Sequence, residues 1–147
     1  MIYIFDTNIL VHYIRESPLM QAVERDFDPL SIGNEAWLSA VSLGEIRSIA
    51  MQNHWGSKRI DRLERLIGLF LISEVNIEDL FHRYAEIDSY SQGRHPSLSS
   101  PFSSRNMGKN DLWIAATASL LTAVLLTTDG DFNHLDKVFL EVRRLSF

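Results

Sequence analysis

No cysteine occurs among the 147 residues, which removes a disulfide scaffold, a zinc ribbon and a thiol nucleophile together. That absence fits a reducing cytoplasm. Basic charge is also scarce: 14 Lys+Arg stand against 19 Asp+Glu, a net charge of −5. Such a chain cannot hold a nucleic acid by bulk charge alone. Long apolar runs are missing too. The longest, from Leu112 to Leu126, is interrupted by Thr117, Ser119 and Thr122 and falls short of the roughly 20 residues that a bilayer demands. The apolar run at the amino end meets Asp6 after four residues with no basic segment ahead of it, so neither a signal peptide nor a membrane anchor is expected. There is no internal repeat and no tail of one charge sign.

What is present is ordinary globular material, 46% hydrophobic, of a length expected to form one domain over residues 1–147. Ile2 to Phe5 reads as a strand buried on both faces. Ile9, Leu10, Tyr13 and Ile14 then recur at helical spacing, and Ser17-Pro18 restarts a helix to about Phe27. Trp37 to Val41 reads as a second strand. Ser42 is positioned to cap the next helix, with Glu45 three residues on at capping-box spacing. Ser57 to Leu71 is an amphipathic helix whose Lys58, Arg59, Arg62 and Arg65 form a solvated face. Leu71 to Val75 reads as strand three and Ile77 to Tyr90 as a helix. A serine-rich loop follows, Asn110 caps a helix to about Leu121, and Ala123 to Thr127 and Phe139 to Val142 complete the strands. Strands alternating with helices predict an α/β fold, a central parallel sheet of four to five strands with helices on both faces. Ligands of such sheets bind beyond the carboxyl ends of the strands.

Four acids converge on that edge. Asp6 follows the first strand and Asp129 the fourth, while Glu45 and Asp111 lie in the first turns of helices expected to start there. Each has a plain alternative: Asp6 as a helix cap, Asp129-Gly130 as a turn, Glu45 as the partner of Ser42, and Asp111 as a charge favoured at a helix start. Independent caps have no reason to share one edge. Crowded carboxylates repel unless a divalent cation joins them, and oxygen-only ligands suit Mg²⁺ or Mn²⁺ better than zinc. These four acids contribute −4 of the net −5, so the remainder is near −1, and an acidic total does not exclude a phosphate substrate. Thr7, Asn8, Thr127 and Thr128 are short polar residues able to orient the acids. Asp131 reads as the cap of a short helix from Phe132, with an outer ligand role as its alternative. The five histidines fall in separate segments and read as surface or boundary residues. Trp37, Trp55 and Trp113 read as core or interface, Trp113 drawing notice for lying two residues from Asp111.

Phe5-Asp6-Thr7-Asn8-Ile9-Leu10 resembles the opening of PIN domains. Asn110-Asp111-Leu112-Trp113-Ile114-Ala115-Ala116-Thr117-Ala118 and Leu125-Leu126-Thr127-Thr128-Asp129-Gly130-Asp131-Phe132 resemble the second half of the same family. The nearest group is the VapC-like toxins of bacterial and archaeal toxin–antitoxin pairs. The resemblance implies an α/β/α sandwich that cleaves RNA with Mg²⁺ or Mn²⁺ held by Asp6, Glu45, Asp111 and Asp129. It also implies a homodimer and a small cognate antitoxin. The loop from about Gln92 to Lys109 is longer than the family pattern, so it could be a lid, a substrate-selecting flap or disordered; its Arg94 and Arg105, with Lys109, could meet phosphates. Two other functions compete: a haloacid-dehalogenase-like phosphatase, weakened because Asn8 stands where its second aspartate belongs, and a PIN-like binding module without catalysis.

Overall fold

A computed structural model describes residues 1–72 and 76–146. Five strands, β1 (Ile2–Phe5), β2 (Glu35–Leu38), β3 (Leu71–Ile72), β4 (Val124–Thr127) and β5 (Glu141–Arg144), form one sheet in the order β3-β2-β1-β4-β5. Every neighbouring pair is parallel, with Ile4 opposite Trp37 on one side and Leu125 on the other. The helices are α1 (Thr7–Arg15), α2 (Pro18–Asp26), α3 (Ala40–Gln52), α4 (Ser57–Ile67), α5 (Ile77–Ser91) and α6 (Lys109–Leu121), with a 3-10 helix at Gly130–Leu135. None is long and apolar enough to cross a membrane among the described residues.

Strand alternation sorts the core into two layers. Tyr3, Phe5, Val124 and Leu126 turn to one face and pack with Ile9, Leu10, Ile14, Val23, Ile46 and Leu63 of α1 to α4. Ile4, Leu125 and Val142 turn to the other face, against Ile87 of α5, Leu112, Ile114 and Ala116 of α6, and Phe132 of the 3-10 helix. Both faces of β1 and β4 are therefore dry, as their unbroken apolar sequences require. The expected α/β/α sandwich with a parallel sheet is the fold observed.

Element boundaries differ from the sequence expectation by two residues or more in several elements. β2 ends at Leu38, before the expected Val41, because Ser39 supplies the first capping oxygen and accepts a hydrogen bond from the Val41 amide at 3.2 Å. Ser42 is thus not a cap. It lies inside α3, fully buried, and its hydroxyl finds no partner among the described residues. Ser39→Ala should then cost about 1 kcal/mol as a lost cap, whereas Ser42→Ala, which removes an unpaired buried hydroxyl, should cost nothing; urea unfolding separates the two.

α4 stops at Ile67 rather than Leu71, with Gly68 at its end. α6 begins at Lys109 with Gly108 at its cap, so Asn110 is already helical. β5 covers Glu141–Arg144 instead of Phe139 to Val142, since its pairing begins with Val124 opposite Glu141. The 3-10 helix is capped by Asp129, not by Asp131, and starts at Gly130. The expected third strand is present at Leu71–Ile72; its residues 73–75 lie outside the described ones.

The segment between α5 and α6 is strapped down. Gly93, at φ +75°, turns the chain away from α5. Beyond it, the Ser100 hydroxyl donates to the Tyr90 carbonyl at 2.6 Å and the Arg105 amide to the Ser91 carbonyl at 2.8 Å. The Phe102 ring meets Tyr90 and His134 edge-on, with centroids 5.4 and 5.1 Å away. These contacts fix where the chain enters α6, two residues before Asp111.

Candidate functional site

The parallel sheet brings the carboxyl ends of β1 and β4 side by side, and two threonines stitch the acids there together. Asp6 is 4% exposed; one carboxylate oxygen accepts the Thr7 amide at 2.8 Å, capping α1, and the other accepts the Thr127 hydroxyl at 2.7 Å. Thr127, itself fully buried, accepts the Asp129 amide at 2.9 Å. The Thr7 hydroxyl donates to Glu45 at 2.9 Å, which ties α3 to the same network. Glu45 has therefore no capping-box role with Ser42. Asp129 accepts the Asp131 amide at 2.9 Å. Capping and gathering turn out to be compatible, because each cap fixes a carboxylate at the sheet edge.

Thr127→Val would keep the shape but leave an Asp6 oxygen unpaired in the interior and take the partner from the half-buried Asp129 amide. The expected cost is about 1–3 kcal/mol, read from urea unfolding in the absence of divalent cations.

Asp111, Asp129 and Asp131 each offer an oxygen, and these oxygens lie within 4.8 Å of one another. Asp111 accepts no hydrogen bond among the described residues. Burial foremost, then the charges of Asp6, Asp129, Glu45 and Asp131, pushes its carboxyl up to about 7. Burial likewise raises Asp6, against the Thr127 and Thr7 hydrogen bonds, with Glu45 and Asp129 adding to the rise. The donors are all carboxylate oxygens crowded beyond comfort, a set that fits a hard divalent cation such as Mg²⁺ or Mn²⁺. An open groove of about 490 Å³ adjoins Glu45, lined also by Val41, Gly44, Ser48, Ile49, Gln52 and Asn110.

The other sequence candidates are scattered around this centre. Asn8 is exposed in the first turn of α1, and the Thr128 carbonyl accepts from Arg144. Lys109 is exposed at the start of α6. Arg105 leans over the Phe102 ring at 5.6 Å, and its charge, after burial, lowers His134 in the 3-10 helix. Arg94 lies in a shallow cleft with His82, Glu86 and Ser97, and no described contact ties it to the acids. Trp113 packs against Phe81 and Tyr84, at centroid distances of 5.8 and 4.6 Å. His134 sits at the boundary, 2.7 Å from the Ser91 hydroxyl. Lys58, Arg59, Arg62 and Arg65 of α4 are all exposed, as expected of a solvated face, and Arg62 also donates to the Ile14 carbonyl at 2.9 Å. Sequence reasoning missed Arg144, because ending β5 at Val142 left it outside the sheet. An arginine at the carboxyl end of a parallel strand was the available signal.

A family model described as PIN domain matches residues 3–138. The chain belongs to the PIN domain family. No curated protein matches it at a significant level. Among solved structures, this PIN domain is similar to a chain of VapBC2 from Rickettsia felis bound to a DNA fragment from their promoter, at 21% identity and TM-score 0.76, covering 98% of both chains. A chain of VapBC-1 from nontypeable Haemophilus influenzae is similar at 23% identity and TM-score 0.72, again over 98% of both. FitAcB from Neisseria gonorrhoeae is similar at 26% identity and TM-score 0.65, over 97% of this chain and 96% of that one. Membership of the PIN domain family supports a nuclease, and the likeness to these structures shows a shared fold.

Proposed function

We propose that this PIN domain is a metal-dependent endoribonuclease that hydrolyses phosphodiester bonds of single-stranded or structured RNA, as the toxin of a toxin–antitoxin pair. The observation that carries the reading is the meeting of Asp111, Asp129 and Asp131 within 4.8 Å, with Asp6 and Glu45 bearing on them, at the carboxyl edge of a parallel sheet. Asp111, Asp129 and Asp131 would hold Mg²⁺ or Mn²⁺, and Asp6 and Glu45, the other two acids, border that seat. Bound there, such a cation lowers the pKa of water and offsets charge building on a phosphoryl oxygen. Thr7 and Thr127 hold Glu45 and Asp6 in place for that role through the hydrogen bonds given above. The groove beside Glu45, polar at Ser48, Gln52 and Asn110, gives an extended strand a path to the acids. Lys109, exposed at the start of α6, and Arg105 are the cations proposed to take backbone phosphates. Cleavage by water leaves 5′-phosphate and 3′-hydroxyl ends.

The similar VapBC proteins and FitAcB favour a cognate antitoxin as partner, and a homodimeric, single-domain cytoplasmic protein completes the reading. A covalent phosphatase is disfavoured because both oxygens of Asp6 are already engaged, by Thr7 and Thr127. The test is cleavage of end-labelled single-stranded RNA with Mn²⁺, Mg²⁺ or EDTA. Cleavage is expected only with the cation; cleavage undiminished by EDTA would overturn the proposal. Tight Mn²⁺ binding without cleavage of any RNA would favour the silent binding module.

A further inference from the structure

Resting on the nuclease reading, we propose that Arg144 takes a phosphodiester oxygen of the RNA strand beside the acidic centre. β5 pairs Arg144 with Thr127, the threonine that holds Asp6, so its backbone stands next to the site. Its Nε donates to the Thr128 carbonyl at 3.3 Å, which points the guanidinium along the Asp129 turn. There it lies over Gly130: a Cβ on that residue would come 2.9 Å from Nη1 and 3.1 Å from the guanidinium carbon. Only glycine leaves that space open. The neighbouring Arg143 is satisfied by Glu141 on its own strand. Arg144 forms no ion pair among the described residues, although it lies over the glycine between Asp129 and Asp131, and both Nη atoms remain unbonded there.

A guanidinium held by its Nε with both Nη atoms free presents the flat edge that grips two oxygens of one phosphate. Its charge would also offset the repulsion between an acidic edge and an anionic strand.

Binding of a fluorescein-labelled single-stranded RNA to Asp111→Asn protein, followed by anisotropy with Mn²⁺ from about 50 to 200 mM salt, tests this. Adding Arg144→Gln should weaken binding about tenfold or more and lower the salt slope by about 0.7, the value of one lost single-strand phosphate contact. Arg144→Lys should restore the slope but not the full affinity. Gly130→Ala, which keeps the charge and pushes the fork aside, should weaken binding at an unchanged slope. In the parent protein, Arg144→Gln should lower kcat/KM by the same factor.

Unchanged affinity and slope in Arg144→Gln, with the parent still cutting RNA, would overturn the inference and spare the nuclease. Weakened binding in that variant, with a parent that never cuts, would spare the inference and overturn the nuclease. No RNA binding at all would overturn both. If Arg144→Gln also abolished the thermal stabilisation by Mn²⁺, the arginine would be a brace for the Asp129 turn and the inference would fail.

Discussion

Asp111→Asn is expected to abolish RNA cleavage and, in metal-free buffer at pH 8, to raise the melting temperature. The loss of activity should reach at least about 10²–10³-fold, the scale on which removal of one transition-state group is felt. The gain in stability follows from the same crowding. In the unfolded chain an aspartate ionises near 3.9, whereas burial and the surrounding acids push Asp111 up to about 7 in the fold. Between those values the folded state holds a proton that the unfolded state has released. Stability supplied by the raised carboxyl is therefore fully present below about pH 4 and drains away as pH rises through 7. At pH 8 the native protein carries an ionised Asp111 among like charges, and asparagine removes that burden with no change of shape. The difference in melting temperature should narrow as pH falls below 7 and close only below about pH 4, where the unfolded chain also keeps the Asp111 proton. A variant that melts below the parent at both pH values would show that the cluster is not the source of strain.

The convergence of acids was legible because it depends on order, not on boundaries. Asp6 and Asp129 follow strands of one parallel sheet within two residues, at its carboxyl edge. Asp111 lies in the first turn of α6, and Glu45 lies in the second turn of α3, one turn further in than its spacing from Ser42 suggested. A shift of a strand end by three residues leaves each acid on that edge, which is why β2 could stop at Leu38 rather than Val41 without moving Glu45 off the site. The fold was legible for a related reason: Ile2 to Phe5 and Val124 to Thr127 carry no polar alternation, and only a sheet covered on both sides accommodates that.

What stayed hidden was decided by competition between nearby residues of similar type. Ser39 and Ser42 are both good caps, and the choice fell to the one whose backbone leaves β2 first. Asp129 and Asp131 are both good caps too; Asp129 won because the Thr127 hydroxyl already holds its amide. That outcome leaves the Asp131 carboxylate free to face Asp111. Arg144 depended on the register of β5 against β4, which no local pattern encodes.

That competition bears directly on where a cation would sit. Mn²⁺ at about a hundred times its dissociation constant should stabilise the fold by about 2.7 kcal/mol, provided the unfolded chain does not bind it. For a chain of this size each kcal/mol moves the melting temperature by about 2–4 °C, so an upward shift of about 5–11 °C is expected at pH 8. Protons compete for the Asp111 carboxylate below about 7, so the shift should shrink steadily from pH 7 to pH 5.5. The variants discriminate between two sets of ligands. If the oxygens of Asp111, Asp129 and Asp131 that lie within 4.8 Å form the seat, Asp131→Asn should erase the shift as fully as Asp129→Asn. If the seat is instead Asp6, Glu45, Asp111 and Asp129, Asp131→Asn should keep most of it and Glu45→Gln should lose it. The first pattern is expected, since Asp6 and Glu45 already accept hydrogen bonds from Thr127 and Thr7 while Asp111 and Asp131 accept none. An equal loss in Asp129→Asn, Asp131→Asn and Glu45→Gln would mean that the acids act as one charged basin and that no subset of them defines the site.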